Sequence, residues 1–168
     1  MSDAIRCITT WGTIDDIDFA TAEEQEKAQP RKSLIPELLQ QARITDIYIS
    51  DIFQKDSRFI TDEDREKLYE LCMKVPEEKI IITHGTFTMP ITAKFLWSRE
   101  VKKTIILTGA MIPANKENSD ALFNLGAAVI AVQALQWLGH WVYVTMNGKI
   151  FPRNDVRKNE EDGIFMNE

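Results

Sequence analysis

Two threonines share one local setting. Thr13 follows Gly12 in the run Thr10-Trp11-Gly12-Thr13-Ile14-Asp15, and Thr86 follows Gly85 in His84-Gly85-Thr86-Phe87-Thr88. Each run comes directly after a short apolar segment, so each Gly-Thr pair falls where a strand passes into a loop. Glycine at such a turn lets backbone N–H groups approach a substrate, as an oxyanion hole requires. A threonine hydroxyl is a weak nucleophile at its ordinary pKa and needs a base beside it. Lys158 can be that base if desolvation or a neighbouring cation lowers its pKa. A single threonine after a glycine is an ordinary turn or cap hydroxyl. Two of them together with a lysine point to a hydroxyl nucleophile.

Other chemistries fit less well. The turn after the first apolar segment has one glycine where a dinucleotide fingerprint needs G-x-G-x-x-G, and Trp11 would block a pyrophosphate. There is no Walker A motif and no G-x-S-x-G elbow. The two histidines, His84 and His140, lack the spaced acids or thiols of a zinc site. Neither a metal nor another cofactor is expected. His84, at a strand end, reads as a satisfied core or supporting residue; His140, in a loop, reads as exposed.

These residues need a scaffold. The segments Ala4–Thr10, Asp46–Ser50, Lys79–Thr83, Thr104–Thr108 and Trp141–Met146 are short and rich in β-branched or aromatic residues, with few charges. Such runs suit strands covered on both faces, as in a parallel sheet. Helical patterns lie between them. Ser33–Ala42 is a weak one. Thr61 opens another with Asp62, Glu63 and Asp64 in its first turn, a capping-box-like start. Thr88 and Ser119 can cap two more. The β-α-β-α-β-α-β-α-β alternation predicts an α/β sandwich with right-handed crossovers. In such sheets ligands bind beyond the carboxyl ends of the strands. Lys55-Asp56-Ser57 also falls at that edge, a few residues past the second strand. The polar stretch 15–32 reads as a functional loop, a solvated loop or a frayed helix. Residues 153–168 show no core pattern and read as an extended tail or an arm onto a partner.

Composition narrows the function classes. The chain has 168 residues, 44% hydrophobic and 27% charged, which predicts a single packed domain over 1–168. A net charge of −6 argues against nucleic acid as a partner. No apolar run is expected to reach the ~18–20 residues that span a bilayer, so no membrane partner is expected. The first residues lack a basic segment followed by an apolar stretch, so no signal peptide is expected. Two cysteines, Cys7 and Cys72, make no disulfide framework, and a reducing cytoplasm is the expected location.

Several motifs occur together and in order. They are G-T-I after the first strand, I-T-H-G-T-x-T-M after the third, T-G-A-M-x-P after the fourth, and S-D-A-x-F-N-L opening the next helix. M-N-G-x-I-F and D-V-x-K follow, and K-D-S-x-x-I-T-x-x-D-R lies after the second strand. This series, from about Ile8 to Lys158, resembles the bacterial-type L-asparaginases, the last motif a short subgroup of them. The resemblance implies a flavodoxin-like three-layer sandwich with a mostly parallel sheet, the N-terminal domain type of that family. It implies hydrolysis of a small carboxamide, L-asparagine or a related amide, with no metal or cofactor. Thr13 matches the nucleophile, Thr86 the second catalytic threonine and Lys158 the assisting lysine. Ser57, with Asp56 beside it, matches the serine that holds the substrate carboxylate. Gly12, Gly85 and Phe87 line the same subsite, with backbone donors near Gly12 and Thr86.

Three departures from the family pattern shape the expected activity. Phe87 replaces an aspartate that contacts the substrate's ammonium and orients the lysine. Asp56, Asp120 and Asp155 are the carboxylates that could substitute. Trp11 puts an indole where the family has no side chain, so the pocket must shrink, reshape or open. The family's smaller C-terminal domain, which helps close the site, is missing. The loop 15–32 also lacks the family's tyrosine and offers Phe19, which has no hydroxyl. The leading reading is an asparaginase-like amidohydrolase; the alternative is an impaired relative that binds or senses a small molecule. Phe151, Pro152, Ile164, Phe165 and Met166 are apolar spots read as docking a partner subunit, giving a homodimer or homotetramer.

Overall fold

The computed structural model describes residues 4–139 and 141–168. His140 lies outside the described residues. Five parallel strands form the sheet: β1 (Ile5–Thr9), β2 (Ile47–Asp51), β3 (Lys79–Thr83), β4 (Thr104–Thr108) and β5 (Val142–Met146). A sixth, β6 (Lys149–Pro152), adds antiparallel to β5, and the order is β2-β1-β3-β4-β5-β6. The expected α/β sandwich with a mostly parallel sheet is therefore what the chain forms.

Period-two alternation explains the three layers. Ile80 and Ile82 of β3, with Ile105 and Leu107 of β4, face one core shared with Leu68 and Cys72 of α3 (Asp62–Lys74) and Ala93 and Leu96 of α4 (Met89–Ser98). Ile81 and Ile106 face the opposite core, shared with Leu38 and Leu39 of α2 (Ile35–Gln41) and Leu125, Ala128 and Val132 of α5 (Ala121–Leu135). β3 and β4 are buried along their whole length, which is why their sequences are continuously apolar rather than alternating.

Helix starts follow local chemistry. Thr61 and Asp64 form a reciprocal capping box at α3, as expected. At α4 the Thr88 hydroxyl does not cap; it donates to the Ser57 carbonyl at 2.7 Å. At α5 the N-cap is Asp120, one residue past the expected Ser119. The Ser119 hydroxyl still accepts from the Ala121 N–H at 3.1 Å. The stretch 15–32 contains a short helix, α1 (Ala22–Lys27), capped by Thr21 on the Glu24 N–H.

Two expectations need correction. The window Ala121–Leu138 has a mean hydropathy of 1.6 and is long and apolar enough to cross a membrane by length and composition. Leu125, Ala128 and Val132 nevertheless pack this helix on the sheet, and a core helix meets the same criterion. Residues 153–168 are not a detached arm. Val156 and Phe165 are fully buried in the α3–α4 core, and Phe151 is 1% exposed there. Two of the residues read as docking a partner, Phe151 and Phe165, thus pack on their own chain. β7 (Arg157–Lys158) pairs antiparallel with β8 (Phe165–Met166), with Lys158 opposite Phe165.

Replacing a fully buried phenylalanine leaves a cavity. Phe165→Ala is therefore expected to lower unfolding stability by about 3–5 kcal/mol in urea denaturation. A change within about 0.5 kcal/mol, the range of ordinary surface substitutions, would mean that the segment is not part of the core.

Candidate active site

The sheet order reverses between β1 and β3: the chain leaves β1 towards β2 on one side and returns to β3 on the other. A crevice opens beyond the carboxyl ends of strands at such a switch point. The turns after β1 and β3 meet there. Gly12 has φ 88°, and a Cβ on it would lie 2.4 Å from Gly85 Cα and 2.6 Å from Gly85 N. A Cβ on Gly85 would lie 2.6 Å from Ser57 Oγ. Three backbone segments thus touch because neither glycine carries a side chain.

The cleft is lined by Gly12, Thr13, Ile17, Asp56, Ser57, Gly85, Thr86 and Phe87. Every residue expected at the site except Lys158 is in that lining. Lys158 arrives from β7: its Nζ lies 2.9 Å from Thr86 Oγ1, across 72 positions of sequence. Burial lowers the Lys158 pKa, and the charge of Glu160 opposes that shift in part. The two requirements for a lysine base, contact with a hydroxyl and a depressed pKa, are both present. Thr13 opens a 3-10 turn over Thr13–Asp15, and no hydrogen bond between described residues uses its hydroxyl. None uses the N–H of Gly12 or Thr86 either, so both donors are open to a substrate oxygen.

Arg58, absent from the sequence expectations, organises one side of the cleft. Its Nε donates to Asp56 Oδ1 at 3.0 Å and its Nη2 to Asp56 Oδ2 at 2.7 Å. Nη2 also donates to the Phe19 carbonyl at 2.8 Å and to Asp18 at 2.5 Å. Burial pushes the Asp56 carboxyl up, but these bonds outweigh it and hold the pKa below the usual carboxylate range. The stretch 15–32 is docked by the same groups: the Asp56 N–H donates to Gln25 Oε1 at 2.7 Å, and the Phe19 N–H to Asp56 Oδ2 at 3.4 Å. Phe19 therefore reaches the site through its backbone. Adjacency to Ser57 in the run Asp-Ser-Arg was the sequence signal for Arg58.

Phe87 lies among cations. Lys158 Nζ is 4.1 Å from its ring centroid and the Arg58 guanidinium carbon is 5.0 Å away, both within cation–π range. Neither Asp120 nor Asp155 substitutes for a carboxylate at this position. Asp120 accepts the N–H groups of Met111 and Ile112 and the Asn124 amide; Asp155 holds Asn167 and the Glu168 N–H. Trp11 takes a left-handed φ of 72°, is 3% exposed and is not among the cleft-lining residues, so its indole is accommodated away from the cleft. The cleft is a tight crevice that, as folded, does not admit a water-sized sphere.

His84 supports the β3 turn. It is fully buried, with Nδ1 2.7 Å from the Gly85 carbonyl and Nε2 2.8 Å from Thr92 Oγ1. A donor is required at Nδ1 to meet a carbonyl, so Nε2 accepts from Thr92 in the neutral ring. Burial pushes its pKa down to about 4.

A mostly parallel sheet of order β2-β1-β3-β4-β5, with two threonines and a lysine gathered at its switch point, defines an α/β protein with a candidate polar site at the sheet edge. Residues 4–165 match the family described as Asparaginase, N-terminal, and the chain belongs to that family. It is 29% identical over 167 residues to a Haemophilus influenzae protein named "Probable L-asparaginase periplasmic", covering 95% of this chain and 47% of that one. It is 31% identical over 134 residues to a glutaminase-asparaginase of Pseudomonas aeruginosa, covering 77% and 37%. The solved thermostable L-asparaginase of Thermococcus kodakarensis superposes with a TM-score of 0.77 at 26% identity, covering 98% of this chain and 51% of that one. The chain thus spans about half or less of the length of each of these proteins.

The native state holds His84 neutral, whereas the unfolded chain protonates it near the ordinary histidine value of 6.5. The unfolded state then binds more protons, so stability falls as pH drops from about 6.5 towards 4. Denaturation midpoints measured across that window are expected to show this fall, and His84→Gln is expected to flatten it.

Proposed function

We propose that the chain is an amidohydrolase that hydrolyses a small carboxamide to the carboxylic acid and ammonia through a threonyl ester. The observation that carries this reading is the 2.9 Å contact between Lys158 Nζ and Thr86 Oγ1 at the switch point of the sheet. Family membership and relatives named L-asparaginase and glutaminase-asparaginase support it.

In this reading Thr13 Oγ attacks the amide carbon, and its proton passes to the departing nitrogen. The N–H groups of Gly12 and Thr86 hold the developing oxyanion. Ammonia leaves, and the acyl group remains on Thr13 as an ester. A water then attacks that ester and neutral Lys158 accepts the water's proton through Thr86; as the ester C–O bond breaks, that proton passes back to the Thr13 oxygen, and the acid and the free Thr13 hydroxyl are released. Ser57, with Asp56 beside it held by Arg58, positions the rest of the substrate. Lys158 must be neutral to accept a proton, so its lowered pKa brings the required form towards neutral pH.

The same proposal covers setting and assembly. Cytoplasmic location is supported by Cys7 and Cys72, both free and buried in opposite cores. Assembly as a homodimer or homotetramer is supported by an apolar face where α5 and β6 expose Phe123, Ile130 and Ile150. No charged residue interrupts Ala121–Leu138, and Lys149 of β6 is the one charged residue among the described residues lining that face, so two copies can meet on it across a two-fold axis. A monomeric mass in solution at micromolar concentration would overturn the assembly.

Ammonia release from a panel of small amides tests the activity. Thr13→Ala is expected to lower kcat by on the order of 10⁶-fold, as loss of a nucleophile does. Phe87→Asp sets a carboxylate beside Lys158, favours the ammonium and moves the rising limb of the pH–rate profile to higher pH. If neither the natural chain nor Phe87→Asp releases ammonia while an amide still binds, the chain is a binding protein.

A further inference from the structure

We propose that the cleft selects its substrate by charge, taking a carboxamide that carries a carboxylate and no free ammonium. The class comprises monoamides of small dicarboxylic acids and their N-acylated amino-acid counterparts. This rests on the amidohydrolase reading for the fate of the amide, but the selection itself is a property of binding.

The argument starts from what is left unpaired. Asp56 is the one carboxylate among the cleft-lining residues, and it is 4% exposed. Both of its oxygens are taken: Oδ1 by the Arg58 N–H at 2.9 Å and Nε at 3.0 Å, Oδ2 by Arg58 Nη2 at 2.7 Å and the Phe19 N–H at 3.4 Å. It has no free edge for an ammonium. Among the described residues no ion pair joins Lys158 to an acid. Arg58 keeps one nitrogen, Nη1, without a hydrogen bond to any described residue. The ring of Phe87, 42% exposed, lies against both cations.

An ammonium brought to this ring meets two positive groups, while the acids nearby are engaged with those same cations: Asp56 and Asp18 are bonded to Arg58, and the charge of Glu160 acts on Lys158. A carboxylate brought to the same place meets the free Nη1 of Arg58 and the hydroxyl of Ser57, while the ring offers an apolar face to a short methylene chain. Complementary charge then favours one substrate and like charge disfavours the other. Arg58 acts twice: it binds the incoming carboxylate, and it masks Asp56.

The test compares succinamate, N-acetyl-L-asparagine and L-asparagine by calorimetric titration and by ammonia release. The natural chain is expected to bind the first two about ten-fold or more tightly than L-asparagine, a gap that one unfavourable charge contact produces. Arg58→Gln unmasks Asp56 and is expected to move the ratio about ten-fold towards L-asparagine, whereas Arg58→Lys keeps the original order. Ratios within one variant cancel any loss of folded protein. If Arg58→Gln does not fold, the ratio in the natural chain decides alone. Equal binding of all three, tighter binding of L-asparagine, binding of none, or an unmoved ratio in a folded Arg58→Gln overturns the proposal. The expected binding order without ammonia release from any amide would sustain charge selection and defeat the amidohydrolase reading.

Discussion

Contact between two bare backbone turns governs this molecule. Gly12 and Gly85 lie so close that a methyl group on either would overlap the next segment. That approach places the end of β1 against the end of β3 and brings Ser57 to the same point. Everything chemical is a consequence: two threonines, each one residue past its glycine, come to line one cleft. A wider gap would leave two capped turns. The energy that maintains the contact comes from burial of β1 and β3 between two apolar layers, since hydrophobic burial is the dominant favourable term in folding.

Charge at the cleft is arranged around a ring rather than around an acid. Lys158 has a hydroxyl partner, an aromatic neighbour and no bonded acid among the described residues, and desolvation outweighs the charge of Glu160 in its ionisation. Asp56 has the opposite condition: its charge is committed to Arg58, and with it the loop that contains Phe19 and Gln25. The result is a cleft in which the acid serves structure and the lysine has no bonded acid among the described residues.

Much of this was legible in the chain because strands buried on both faces write themselves as unbroken apolar runs. The Thr61 capping box was equally plain. What stayed hidden had weaker local signals. β6 follows a hairpin at Asn147-Gly148, both at positive φ (52° and 71°), and that dipeptide is a strong hairpin signal that went unread. Val156 and Phe165 are isolated apolar residues in a polar stretch, with no period to show that both enter the core. Arg58 showed nothing by type alone. Its importance comes from distances to Asp56, Asp18 and Phe19 that only folding creates.

The pairing of β7 with β8 carries a temporal meaning. Lys158 is held opposite Phe165, and Phe165 is seated in the core, with its N–H on Asn147 Oδ1 at 2.9 Å. A ribosome delivers the hydroxyls of Thr13 and Thr86 long before it delivers that anchor. The nascent sheet can therefore assemble with its hydroxyls in place and its lysine unmoored until β7 and β8 emerge and pair.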